Sequence, residues 1–155
     1  MMNLAPLTAL LEQTERRRDA ALAEQMKAGE ASRAALAQAE QLLEYRREYE
    51  QRWSTEFCRE GRIELVRCYQ GFIERLTQAV ESQQRIAQGA AATLELATIA
   101  LRDREMQVAA VRKLIERRLA EGRQRLERQN QKQNDELAAR IAGGRGMSFG
   151  QTNAS

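Results

Sequence analysis

From Val66 to Ile115 the chain carries one unbroken seam, spaced alternately three and four residues. Its positions are Val66, Tyr69, Ile73, Leu76, Val80, Gln83, Ala87, Ala90, Leu94, Ala97, Leu101, Arg104, Val108, Val111 and Ile115, of which only Gln83 and Arg104 are clearly polar. A 3.5-residue period held over this length is what a helix needs if one narrow stripe is always to face a partner helix. A coiled-coil rod has little interior in which to build a pocket, so the pattern argues against most enzymes.

The rest of the composition agrees. The chain has 155 residues and a single proline, Pro6; charged residues make up 30% and aromatics 5%. Ala, Glu, Gln, Arg and Leu dominate, as in long helices, and no stretch alternates β-branched or aromatic residues with polar ones between turn signals. Net charge is only +3, and the basic residues are 22 arginines and 3 lysines. Many sit beside acids at helical spacing, as Arg46 and Arg47 do between Glu44 and Glu48, which reads as a solvated surface laced with ion pairs. A nucleic-acid footprint needs a one-sided basic stripe. The nearest candidates are Arg16 to Arg18 and the run from Arg112 to Arg128, which Glu116, Glu121 and Glu127 interrupt.

No segment is apolar for the roughly 18 residues a membrane span requires. Residues 1–6 do not read as a signal peptide, so a cytoplasmic protein without direct membrane insertion is expected. Cys58 and Cys68 are too few for a disulfide scaffold, and without histidine they make no metal site. No cofactor is expected. Nor is there a catalytic constellation: the usual general base is absent, and Gly143-Gly144-Arg145-Gly146 follows a helix instead of opening one around a phosphate.

Two long helical segments are expected, from about Pro6 to Glu56 and from about Arg62 to Ile141, with a turn at about residues 57–61. Proline is tolerated in a first helical turn. Gly61 suits a reversal, and Gly143-Gly144 is a natural stop. Gly71 and Gly89 lie off the seam, and the period runs through them. The first segment repeats the spacing as Leu4, Leu7, Leu11, Thr14, Arg18, Ala21, Gln25, Ala28, Ser32, Ala35, Ala39, Leu42, Arg46, Tyr49 and Trp53. Folding back near residues 58–61 pairs residues whose numbers sum to about 119. Tyr49 and Trp53 then meet Val66, Tyr69 and Ile73; Ala28, Ser32 and Ala35 meet Ala87 and Ala90; Leu4, Leu7 and Leu11 meet Val108, Val111 and Ile115. Bulky meets bulky and small meets small.

The fold class is therefore all-α: a long antiparallel two-helix coiled-coil hairpin over residues 1–142, with an arm on the order of 75 Å. Leu119 to Ile141 form a C-terminal helical overhang, and residues 143–155 a flexible polar tail. Arg18 and Arg104 fall at seam positions on nearby levels. Burying both would be costly, so either they snorkel outward past Glu15 and Glu105 or the open end is loosely zipped.

The residues in excess of the seam's needs are aromatic. With seam positions called a and d, Gln38 and Tyr45 stand at g on the first helix, and Phe72 and Ala79 at g on the second. In an antiparallel pair g faces g. Gln38, Leu42, Tyr45 and Tyr49 thus run 4-3-4 along one helix beside Phe72, Leu76, Ala79 and Gln83 on the other. Aromatics outside the seam on one flank mark a partner site; they equally fit a core widened where Trp53 is bulky.

The motif Gln38-x3-Leu42-x2-Tyr45-x3-Tyr49, followed after a turn by Tyr69-x2-Phe72-Ile73-x2-Leu76-x2-Ala79, resembles the flagellar export protein FliJ family. The length, the hairpin and the ragged polar tail match as well. The resemblance implies a soluble, non-enzymatic component of the flagellar type III export apparatus, similar to the central stalk of rotary ATPases. It implies three partners: the hexameric export ATPase, the export gate membrane protein and the export chaperones that it escorts. The location would be the cytoplasmic face of the inner membrane, reached through partners. It also implies that the eight flank residues form a partner stripe; Gln83 stands where a relative can carry histidine. A nucleic-acid-binding arm, using the arginines of the open end, and a plain structural coiled coil are the alternatives.

Overall fold

The computed structural model describes residues 3–57 and 62–148, and the side chains of residues 3–56 and 62–145. It contains a helix α1 (Ala5–Arg52), a π-helical turn (Trp53–Phe57) and a helix α2 (Ile63–Ser148). There is no strand among the described residues. The expected reversal at residues 58–61, Cys58, and most of the polar tail lie outside the described residues.

The start of α1 is fixed locally. The Asn3 side chain accepts a hydrogen bond from the Ala5 amide at 3.1 Å, and Leu4 O accepts both the Thr8 amide and the Thr8 hydroxyl at 2.9 and 3.0 Å. Asn3 is thus a side-chain cap that satisfies one of the orphan amides of a first turn. At the other end the Ser54 and Thr55 hydroxyls donate to Gln51 O at 2.9 and 3.0 Å. Such side-chain bonds compete with the helical ladder, and the last turn widens to the π form at Trp53. The expected helix to about Glu56 is thus α-helical to Arg52 and π-helical from Trp53.

The far end of α2 corrects one expectation. Gly143 and Gly144 do not stop the helix, which continues to Ser148. Glycine within a helix costs about 1 kcal/mol relative to alanine. A long cooperative helix tolerates that cost when no competing cap is present.

Two compact units arise, Thr14–Gln107 and the combination of Met1–Gln13 with Val108–Ser155. In each, a stretch of α1 packs antiparallel against a stretch of α2. Within Thr14–Gln107 the core holds Ala35, Ala39, Leu76, Val80 and Leu101, with Ala39 and Val80 only 3% exposed. Cross-helix partners in this unit have numbers summing from 117 (Tyr45 with Phe72) to 123 (Gln25 with Thr98), around the expected register. Two polar layers interrupt it. Gln25 Nε2 donates to Thr98 Oγ1 at 3.3 Å; Gln83 Nε2 donates to Gln38 Oε1 at 3.1 Å and to Ala35 O at 3.4 Å. Polar seam residues of this kind hold register at some cost in stability.

Arg18 and Arg104 both snorkel. The Arg18 guanidinium reaches Asp19 Oδ1 at 3.0 Å, and Arg104 donates to Gln107 Oε1 at 3.2 Å. Each finds a polar partner on its own helix, as an outward-reaching arginine does.

The other unit holds the buried Val108 and Val111 on α2 and the half-buried Leu4, Leu7 and Leu11 at the start of the chain. Beyond Ile115 every residue from 116 to 145 is exposed except the half-buried Ala120 and Gly122. Leu119, Leu126, Leu137 and Ile141 are 45–59% exposed. This is the C-terminal helical overhang.

Candidate partner-binding flank

Near the end of α1 and the start of α2, aromatic rings from both helices form a column. Trp53 stacks on Tyr69 with centroids 4.1 Å apart and planes 11° from parallel; Tyr69 stacks on Tyr49 at 5.8 Å and 10°. Tyr49 then leans on Phe72 at 4.3 Å, and Phe72 takes Tyr45 edge-on at 6.3 Å and 73°. Offset-stacked and edge-to-face pairs each add about 0.5–1.5 kcal/mol beyond burial. The column starts in the seam and leaves it sideways, ending at Tyr45 on the surface.

The eight flank residues separate by exposure. Tyr45 is 49% exposed, and Gln38 and Ala79 are also exposed. Leu42, Tyr49, Phe72 and Gln83 are half-buried. Leu76 is buried at 8% and is part of the interhelical core. The structure joins five of the eight across the helix pair: Gln38 meets Gln83 by a hydrogen bond, and about two turns away Tyr45 and Tyr49 both meet Phe72. The surface they present is an aromatic edge at Tyr45 bordered by the amides of Gln38 and Gln83. Tyr69, a seam residue outside these eight, links Trp53 to Tyr49.

The Tyr69 phenol is held above its ordinary value of 10.0. Burial is the main cause, followed by the Glu50 carboxylate and the neighbouring Tyr49, with Arg46 opposing them. Arg46 and Glu50 pair with each other at 3.2 Å one turn apart. Tyr69 therefore supports the column as a neutral ring at neutral pH.

Fold and flank together define a class, that of all-α antiparallel coiled-coil proteins with an aromatic flank. Within that class the chain belongs to the flagellar FliJ protein family, whose profile matches residues 2–146. Membership carries a role related to flagellar protein export. Comparison with curated proteins and with solved structures gave no match. Among the described residues no helix is long and apolar enough to cross a membrane.

Proposed function

We propose that this protein is a non-enzymatic coupling rod of the flagellar export apparatus. In this reading the flank around Tyr45 docks on the export gate membrane protein. The paired termini and the overhang from Leu119 to Ile141 enter or cap the ring of the hexameric export ATPase. Export chaperones are carried on the same rod, which is recruited to the cytoplasmic face of the membrane by the gate.

The observation that carries the gate contact is the ring of Tyr45. It is half exposed and held edge-on by Phe72, outside the seam, in a chain of the flagellar FliJ protein family. Aromatic residues are enriched among interface anchors, and one that is already held in place loses little freedom on docking. The overhang supports the ATPase contact in a different way, as a helix whose leucines and isoleucine face solvent. Its arginines alternate with Glu116, Glu121 and Glu127, which argues against a phosphate-binding stripe.

The test is complementation. In a flagellated cell lacking the protein, the wild-type chain should restore secretion of hook and filament subunits, and Tyr45→Ala should restore markedly less at equal protein level. Full secretion by Tyr45→Ala would remove the flank from the mechanism.

A further inference from the structure

On the side of the helix pair away from Tyr45, within Thr14–Gln107, lies a second flank. Leu22, Gly29, Leu36 and Leu43 follow one another every seven residues on α1, and Thr77, Gln84, Ala91 and Thr98 do so on α2. None of them is charged. Where the seam beneath is small, at Ala39 and Ala87, the two helices enclose an open groove walled by Leu36 and Leu43 on one side and by Gln84 and Ala91 on the other. Leu36 is 54% exposed. The apolar surface continues past Gly29 to Met26, which is 60% exposed and lies beside Leu94. This is the surface of a coiled coil that lacks one row of apolar side chains.

The walls decide what can fill it. Both are helical, with backbone groups already bonded within each helix, so an extended strand finds no edge to pair with. A helix with apolar residues at three- and four-residue spacing fits, because Leu36 and Leu43 stand one heptad apart, about 10 Å along the axis. Charge then selects the kind of helix. Between Arg67 and Arg102 the outer rim of α2 carries Glu74, Glu81, Gln88 and Glu95 in the same seven-residue phase, all exposed, and none of the three carboxylates forms an ion pair among the described residues; Glu40 adds a fourth carboxylate in the groove itself. The opposite rim alternates Arg33, Glu40 and Arg47 and contributes little net charge.

We propose that this groove is a docking site for an amphipathic α-helix of a partner protein, apolar on its buried face and rich in Lys or Arg along the edge that lies over α2. It is independent of the aromatic flank, and both can be occupied at once.

The probe is a labelled helical peptide of about three heptads, long enough to hold a helix once docked, with Leu at a and d and Lys along one edge. A control peptide carries Glu in place of Lys. Binding to the full chain is read by fluorescence anisotropy. The lysine peptide should bind saturably and at least roughly tenfold tighter than the control. Leu36→Glu should weaken it by about tenfold or more. Glu81→Gln with Glu95→Gln should erase most of the preference for lysine, and Tyr45→Ala should change nothing. Leu36 is largely exposed, so helix content should hold; the glutamine pair, wholly on the surface, decides the matter if it does not. Equal binding of the two peptides, no saturable binding, or indifference to both sets of changes overturns the proposal. So does sedimentation showing a dimer that Leu36→Glu dissolves, since the occupant would then be a second copy of the chain.

Discussion

Truncating the two flank aromatics one at a time should separate support from contact. Full burial of a phenylalanine is worth about 3–5 kcal/mol on truncation to alanine. Phe72 is half-buried and touches two rings, Tyr49 at 4.3 Å and Tyr45 at 6.3 Å. About half the burial term, plus part of two ring contacts at about 0.5–1.5 kcal/mol each, less about 0.5 kcal/mol regained in helix propensity, leaves about 2–3 kcal/mol. Tyr45 is 49% exposed and has one edge contact. The same reasoning leaves about 1 kcal/mol or less. For a chain of this size 1 kcal/mol moves the melting temperature by about 2–4 °C. Phe72→Ala should therefore melt clearly below the wild type, and Tyr45→Ala close to it. Urea and thermal unfolding followed by circular dichroism give both numbers. Equal losses refute the reasoning. Small equal losses make Phe72 a surface residue, and large equal losses make Tyr45 part of the core.

Three further outcomes follow from the packing. Gly29→Ala should stabilise the chain by about 1–2 kcal/mol in urea titration, because alanine favours the helix and its added methyl group would meet Arg33 and Leu94 at an ordinary 3.8 Å; destabilisation would mean that α1 and α2 pack more tightly there than described. The raised phenol of Tyr69 stabilises the folded state fully below its unfolded pKa near 10, and that contribution is lost as the pH climbs through the higher folded value. Melting between pH 9 and 11 should accordingly fall less steeply for Tyr69→Phe than for the wild type, and identical slopes would contradict the assignment. Truncation after Ile115 should reduce stimulation of the export ATPase while sparing the gate contact; the reverse pattern would mean that the two ends have been assigned the wrong way round.

The seam was legible because it is a one-dimensional pattern. Every predicted seam position from Leu4 to Trp53 and from Val66 to Ile115 is buried or half-buried. The pairing of small Ala28, Ser32 and Ala35 with Ala87 and Ala90 supplied the register, since volume must match across a close helix pair. What periodicity does not encode was missed. Whether a helix stops at Gly143-Gly144 depends on whether a cap outcompetes one more turn, and periodicity does not decide that; α2 runs on to Ser148. The π turn at Trp53 coincides with two hydroxyls, Ser54 and Thr55, reaching the same carbonyl, a local contact that periodicity does not register. The flank was half legible. Heptad positions brought Tyr45 to Phe72, but only packing shows that Leu76 is core while Tyr45 stays open. The leucines at 22, 36 and 43 lie outside the seam and gain meaning only once Ala39 and Ala87 are seen to leave a groove between the helices.

The most direct test of the central claim is the affinity of the purified chain for the cytoplasmic domain of the export gate protein, compared between wild type and Tyr45→Ala with the melting temperature taken on the same samples. An exposed aromatic anchor can contribute about 2 kcal/mol or more to an interface, which is roughly thirtyfold in Kd. For Tyr45→Ala a loss of at least that size is expected, with melting nearly unchanged. Unchanged affinity, or a loss of affinity that comes only with a large fall in melting temperature, would contradict it and leave the flank as a widened core.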